Sequence, residues 1–183
     1  MRELALHILD VAENSIEAGA DNLWIKVEEY CKLNQLYITI TDDGPGINQE
    51  NLINITDPFI TSRSLRPVGL GLSLFKAAAE RCEGHLKINS SQEGTKVKAV
   101  FKYNHIDRTP LGNIAQTIVS ILLRADKLDL NYRHIYEQEC FVFDSKKIKD
   151  ELKGISLKNG KIISWLKKYI EDNLKALHGG GFS

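Results

Sequence analysis

An acid–amide pair near the N-terminus is the first feature of the sequence that could do chemistry. Asp10 and Asn14 are four residues apart, so on a helix they lie on one face, one turn from each other. A carboxylate can orient water or accept a proton, and an amide oxygen is an acceptable Mg²⁺ ligand beside phosphate oxygens. Pairs of this kind are usually only a solvated helix face, so other motifs must support the interpretation.

The stretch D-D-G-P-G-I (42–47) is a second candidate. Asp42 ends a predicted strand, where its carboxylate can accept a hydrogen bond from an exocyclic amine. Gly44 and Gly46 allow backbone to come close to a flat ligand. A simple Pro-Gly turn is the structural alternative.

Two further places carry glycine beside hydroxyl or basic residues. In D-P-F-I-T-S-R-S-L-R-P-V-G-L-G-L (57–72), the glycines precede a predicted helix, whose free N–H groups and dipole attract phosphate. Hydroxyls and two arginines earlier in this stretch add donors and positive charge on a loop that can fold over a nucleotide. The pair Gly94-Thr95 opens a strand, where a threonine hydroxyl can support a ring, although alone it is a turn.

In this order and spacing the four places resemble the GHKL (Bergerat-fold) ATP-binding superfamily. That superfamily includes type II topoisomerases, Hsp90 chaperones, sensor histidine kinases, mismatch-repair MutL proteins and anti-sigma serine kinases. The resemblance covers about residues 1–103: its N-box is similar to 9–20, its G1 box to 42–47 and its G2 box to V-G-L-G-L-S-L (68–74). It implies a two-layer α+β sandwich, in which a mixed, mainly antiparallel sheet is covered on one face by helices. The rest of the chain is then a small α/β C-terminal addition.

The resemblance also implies roles for individual residues. By it, Asp10 is the catalytic base, Asn14 the Mg²⁺ ligand and Asp42 the acceptor for the adenine amine of ATP. The other nucleotide-binding residues form a pocket floor, a lid, a phosphate-binding turn and an adenine support. In that order they are Gly44, Gly46 and Ile47; Phe59, Thr61, Ser62 and Arg63; Val68, Gly69, Leu70, Gly71 and Leu72; and Thr95.

Some positions depart from the family pattern. Asp10 stands where the ATPases and serine kinases mostly carry Glu and histidine kinases usually carry Asn, so its side chain is one methylene shorter than the usual acid. Glu13 is a rival acid, about 100° away on the predicted helix. Glu17 stands where histidine kinases often place Lys or Arg, and N-S-I-E-A-G-A is more similar to mismatch-repair ATPases.

The elements that must position these residues follow from hydrophobic periodicity and turn signals. We predict an ATP-binding domain over 1–103 and a helix–hairpin–helix–helix addition of unknown role over 104–183, with Pro110 opening its first helix. The predicted helices are 2–18, about 49–54, 70–81, 111–124, 145–153 and 159–177. The predicted strands are 23–30, 36–42, 85–90, 95–102, 130–136 and 139–143.

Composition limits the partners. The 24 Lys and Arg residues balance 24 Asp and Glu residues, and the formal net charge is zero. This argues against nucleic acid or an anionic membrane as a partner. We find no apolar run long enough to span a membrane and no signal-peptide pattern, so we expect a cytoplasmic protein.

Two functions remain open from the sequence. In the first, the protein binds ATP with Mg²⁺ and transfers the γ-phosphate to a protein hydroxyl, as an anti-sigma-type serine/threonine kinase does, or to water. In the alternative, it is a non-catalytic, ATP-gated regulatory module, whose lid (57–68) and residues 104–183 present a surface to a partner protein. The partner is a regulatory protein or a protein substrate of unknown identity, and a homodimer is left open.

Overall fold

The computed structural model describes residues 3–47 and 70–179. Within them we number five helices and six strands in chain order. The helices are α1 (Leu4–Glu17), α2 (Leu70–Arg81), α3 (Ile114–Arg124), α4 (Ser145–Glu151) and α5 (Gly160–Gly179). The strands are β1 (Asn22–Tyr30), β2 (Gln35–Asp42), β3 (His85–Ser91), β4 (Gly94–Lys102), β5 (Asp129–Tyr136) and β6 (Glu139–Asp144). The predicted helix at 49–54 and the predicted lid at 57–68 lie outside the described residues.

The six strands form one sheet in the order β3-β4-β2-β1-β5-β6. The β1–β5 pair is parallel, and the other four pairs are antiparallel. The predicted mixed, mainly antiparallel sheet is therefore confirmed.

One face of the sheet carries the core. Alternate residues of the central strands are apolar and fully buried, for example Ile25, Ile38 and Ala99. Residues between them on the opposite face, such as Lys26 and Thr39, are only partly buried. This period of two is what one covered and one solvated sheet face requires. The buried side chains of the strands and helices form a single hydrophobic cluster, which confirms the two-layer α+β fold.

The chain after residue 103 extends this sheet. The predicted hairpin at 130–143 is confirmed as β5 and β6, and β5 pairs with β1 from Asn22↔Asp129 to Glu29↔Tyr136. Without β5, one side of β1 would be an unpaired strand edge. The domain boundary near residue 103 stays a sequence prediction, but the two segments share one sheet and one core.

The first helix of this later segment begins three residues after the predicted position. The carbonyl groups of Pro110 and Leu111 accept hydrogen bonds from the backbone N–H groups of Leu4 and Ala5, at 3.0 and 2.8 Å. The stretch before the helix is therefore tied to the start of α1. Asn113 then caps α3, its side-chain oxygen accepting from the Gln116 N–H at 2.8 Å. The prediction that Pro110 opens the helix was wrong.

Among the helices of residues 3–47 and 70–179, none combines the length and the apolar character that crossing a membrane requires.

Candidate functional site

The Asp42 carboxylate lies at the end of β2 and is 8% exposed. Its Oδ1 accepts hydrogen bonds from the backbone N–H groups of Gly44 and Thr95, at 3.0 and 3.2 Å. Its Oδ2 accepts from the Ser15 hydroxyl of α1 at 2.6 Å. A carboxylate offers about four acceptor positions, so these three donors fix its orientation and leave about one position for a ligand.

The turn after Asp42 is packed against β3. Gly46 has φ +75°, and a Cβ there would lie 1.8 Å from the Ser91 carbonyl oxygen. The Ile47 N–H donates to the Ser90 hydroxyl at 2.7 Å. Gly46 is thus required by the approach of this turn to another strand of the protein, a contact that the sequence analysis did not foresee.

Thr95 and Ser90 form the opposite wall of this corner. Their hydroxyl oxygens are 2.9 Å apart, and Thr95 is 8% exposed. A cavity of about 320 Å³ opens beside them, and Asp42 also lines it. The cavity is lined by carboxylates, hydroxyls and an amide, which suits a ring with polar edges.

Asp43 holds the loop between α1 and β1 to the same corner. Its Oδ1 accepts from the backbone N–H groups of Asp21 and Asn22 at 2.9 and 2.8 Å, and its Oδ2 accepts from the Asn22 amide at 2.7 Å. Burial raises the pKa of Asp43, but the hydrogen bonds from Asn22 and Asp21 outweigh it, so the pKa lies below its ordinary value.

Asp10 lies against the first turn of α2. A Cβ built on Gly71 would be 3.2 Å from both the Cβ and the Oδ2 of Asp10, so a larger residue at position 71 would push against this side chain. Burial raises the pKa of Asp10. The structure therefore brings a carboxylate to the N-terminal end of a helix, the end that attracts phosphate.

Asn14 lies one turn after Asp10 and is partly buried. Neither side chain is hydrogen-bonded to another described residue. The rival acid Glu13 is occupied elsewhere: its Oε1 accepts from the Arg124 guanidinium of α3 at 2.6 Å. This ion pair leaves Asp10 as the acid facing α2.

The predicted site residues thus lie in different places, with Asn14 on α1 one turn after Asp10. Asp42, Gly44, Gly46, Ile47 and Thr95 meet at one corner, and Asp10 meets Gly71. Leu72 is 3% exposed and packs in the core, and Leu70 begins α2. The remaining predicted residues lie outside the described part of the chain: Phe59, Thr61, Ser62, Arg63, Val68 and Gly69.

Sequence reasoning missed the hydroxyls of Ser15 and Ser90 and the carboxylate of Asp43 as parts of this corner. Ser15 carries a usable signal, because it continues the apolar stripe of Leu4, Ile8 and Val11 on α1 and is buried with it. A polar residue in a buried stripe needs a partner. Ser90 has no such signal, since its role depends on the approach of the 42–47 turn to β3.

Comparison with known proteins gives one family match and several similar sensor proteins. A family model described as histidine kinase-, DNA gyrase B-, and HSP90-like ATPase matches residues 2–105. Sensor protein KdpD of Clostridium acetobutylicum is 32% identical over 103 residues, covering 53% of this chain. Signal transduction histidine-protein kinase ArlS of Staphylococcus aureus is 37% identical over 95 residues, covering 49% of this chain. The chain spans only 11% and 21% of the lengths of these two relatives.

Two solved structures are also similar to this chain. The catalytic domain of histidine kinase ThkA is 23% identical with a TM-score of 0.42, covering 56% of this chain and 68% of that one. The Aquifex aeolicus MutL ATPase domain complexed with ADP is 10% identical with a TM-score of 0.49, covering 84% of this chain and 70% of that one.

The packing of Gly46 on β3 predicts a large effect of Gly46→Ala. The free energy of unfolding should fall by about 3 kcal/mol or more, because the added methyl meets a backbone oxygen as well as an unfavourable φ. Gly19→Ala is the matched control: Gly19 has φ +87° but no atom within 4 Å of its added Cβ. It should lose only about 1 kcal/mol. Urea unfolding of both variants measures the difference, and equal losses would contradict the assigned contact.

Proposed function

The chain belongs to the family of histidine kinase-, DNA gyrase B- and HSP90-like ATPases, and from this we propose that it binds Mg·ATP and transfers the γ-phosphate to a protein hydroxyl or to water. The GHKL resemblance of the sequence is confirmed by that family match. Family membership alone does not establish a reaction. The observation that carries the proposed reaction is the Asp10 carboxylate lying against Gly71 at the start of α2.

Asp42 is the proposed adenine ligand. Three protein donors hold its carboxylate, and one acceptor position is left for the exocyclic amine of the base. The hydroxyls of Ser90 and Thr95 border the same cavity and would contact the ring edge or an intervening water. This arrangement favours adenine over guanine, because guanine presents a carbonyl oxygen at the position of that amine.

The phosphates are proposed to lie at the N-terminal end of α2. The first backbone N–H groups of a helix have no intrahelical partner, and the helix dipole adds partial positive charge there. The Asp10 carboxylate is beside this turn, within reach of a group that attacks the terminal phosphate.

Asp10 then acts as the general base. It accepts the proton of the attacking hydroxyl or water, an oxygen–phosphorus bond forms, and the bond from the γ-phosphorus to the bridging oxygen breaks, releasing ADP. The raised pKa of Asp10 makes it a stronger base than an ordinary carboxylate. Gly71 lets Asp10 lie close to the first turn of α2, which would help the shorter Asp side chain to reach the attacking group.

Asn14 is the proposed magnesium ligand. Its amide oxygen is a neutral hard donor, the residue lies one turn from Asp10, and its side chain has no hydrogen-bond partner among residues 3–47 and 70–179. When bound, Mg²⁺ neutralises charge on the phosphate oxygens. Asn14 would hold the ion and thereby orient the phosphates toward Asp10.

For the acceptor we propose a serine or threonine hydroxyl of a regulatory protein in the cytoplasm, where ATP is abundant. Nucleic acid and membranes are not part of the proposal, and a homodimer stays an option.

The alternative function, an ATP-gated binding module, is favoured by one set of contacts. The chain after residue 103 is joined to α1 through Leu4, Ala5 and Glu13, so it is placed to respond to nucleotide bound beside that helix.

Asp42→Asn tests the adenine site. Asparagine can keep the two backbone hydrogen bonds through its oxygen and can donate to Ser15 through its nitrogen, so the fold should survive. Its amide then presents a donor to the adenine amine, and ATP affinity should fall at least about thirtyfold. Isothermal titration calorimetry measures this, with Asp21→Asn on the exposed neighbouring loop as control. Affinity retained within about threefold would exclude Asp42 as the adenine ligand.

Asp10→Asn tests the base. Phosphate release or transfer from Mg·ATP should fall at least about a hundredfold while ATP binding is kept, because amide nitrogen cannot accept the proton. Glu13→Gln, which alters the acid paired with Arg124, is the matched control and should keep most of the activity. Near-background turnover in the unmodified protein, together with intact ATP binding, would instead favour the ATP-gated module.

Asn14→Ala tests the magnesium ligand. ATP affinity should lose most of its dependence on Mg²⁺ concentration, because the protein no longer supplies a ligand to the ion. With EDTA present, the variant and the unmodified protein should bind ATP equally, which controls for damage to the pocket. A magnesium titration identical to that of the unmodified protein would place the ion elsewhere.

A further inference from the structure

A second cluster of chemically active side chains lies far from the nucleotide site. It consists of Glu29 near the end of β1, His134 on β5 and His178 near the end of α5. The Glu29 and His134 side chains are 6% and 0% exposed, and that of His178 is 38% exposed. Because three distant parts of the chain supply these residues, local sequence patterns give no indication of the cluster.

The two histidines point the same ring nitrogen at one carboxylate oxygen. The Nε2 atoms of His134 and His178 lie 2.7 and 2.6 Å from the Glu29 Oε1. All three possible ligand atoms lie within 4.8 Å of one another. Two nitrogens and one oxygen converging on one point form a donor set typical of divalent transition metals.

The other ring nitrogens support this interpretation. The His178 Nδ1 lies 2.8 Å from the Leu174 carbonyl oxygen. A carbonyl can only accept, so this Nδ1 carries a proton, and loss of the Nε2 proton would leave a lone pair directed at Glu29. The His134 Nδ1 lies 2.6 Å from the Tyr132 hydroxyl, which can accept in the same way. Metal-binding histidines almost always have such a partner on the second nitrogen.

A bound cation would take the place of the protons that the two Nε2 atoms otherwise need to lie beside the Glu29 oxygen. Without one, each Nε2 needs its own proton to approach the same oxygen, and His178 must then be fully protonated. With one, the two nitrogens and the oxygen all act as ligands. Tetrahedral Zn²⁺ sites need ligand atoms about 3.3 Å apart, so the contacts must widen by about 0.6 Å, and half-exposed His178 has room to move.

The cluster also has an open side. A cavity of about 510 Å³ adjoins it and is otherwise lined mainly by apolar residues together with Lys175. Sites with three protein ligands keep a fourth position for water or a small ligand. The cavity leaves space for such a fourth ligand.

We propose that Glu29, His134 and His178 form a Zn²⁺-type site with an open fourth position. It is separate from the corner around Asp42: Glu29 is seven residues along β1 from Asn22, which is hydrogen-bonded to Asp43 of that corner, or about 23 Å. The bound ion joins β1 and β5 to the end of α5, and so holds the end of the chain against the sheet. Imidazole ligands select against Mg²⁺ and Ca²⁺.

The test uses the full-length, tag-free protein stripped of metal with EDTA. Competition with a chromophoric chelator should give one Zn²⁺ bound per chain, and Co²⁺ should give the strong visible absorption of a tetrahedral site. Zn²⁺ should also raise the melting temperature, whereas Mg²⁺ should not. No nucleotide is present, so the result is independent of the proposed reaction.

His178→Gln is the decisive variant, because His178 is partly exposed at the end of a helix and its replacement should not disturb the core. It should weaken Zn²⁺ binding at least tenfold and abolish the Co²⁺ absorption, whereas His85→Gln, at an exposed histidine of β3, should change neither. Equal Zn²⁺ affinity in His178→Gln and the unmodified protein would overturn the proposal. So would the absence of tight binding in the unmodified protein, which would make the cluster a hydrogen-bonded ion pair only.

Discussion

The carboxylate of Asp42 is the interaction on which the corner formed by Asp42, Gly44, Gly46, Ile47 and Thr95 depends. It joins α1 through Ser15, the turn after β2 through Gly44, and the start of β4 through Thr95. A buried carboxylate is costly unless donors surround it, so the three segments must keep their relative positions to satisfy it. The same requirement orients the one acceptor position that remains, and the proposed recognition of adenine follows from that orientation.

The distance between α1 and α2 is the second constraint. Gly71 lets the Asp10 side chain lie against the first turn of α2, where a side chain on residue 71 would meet it. Stacked rings of His7 and Phe75, 5.0 Å apart, hold the two helices together in the core. Burial there lowers the pKa of His7 to about 4, so this contact is between a neutral ring and an aromatic one. The helices therefore meet through apolar packing, and the acid is positioned by it.

β1 connects the two halves of the chain. It pairs with β2 on one side and with β5 on the other, and its two ends carry different chemistry. The loop before its first residue is fastened to Asp43 beside the nucleotide corner, whereas Glu29 near its other end meets two histidines of the later segment. The later segment also contacts α1, so it adjoins both the core of the sheet and the helix that carries Asp10 and Asn14.

The sequence by itself determined the family and the bounds of most described helices and strands, because these depend on local signals, whereas the roles of the nucleotide-site residues stay predictions. Alternating apolar residues defined β2, and the spacing of Asp10 and Asn14 placed both on one face of α1. The D-D-G-P-G-I motif was enough to predict Asp42 as a ligand-binding acid. Its fixed orientation could not be predicted, because the donors Ser15 and Thr95 are 27 and 53 residues from it in sequence. Tertiary structure alone decided the parallel pairing of β5 with β1 and the meeting of Glu29, His134 and His178. These depend on long-range packing, which no local period or motif encodes.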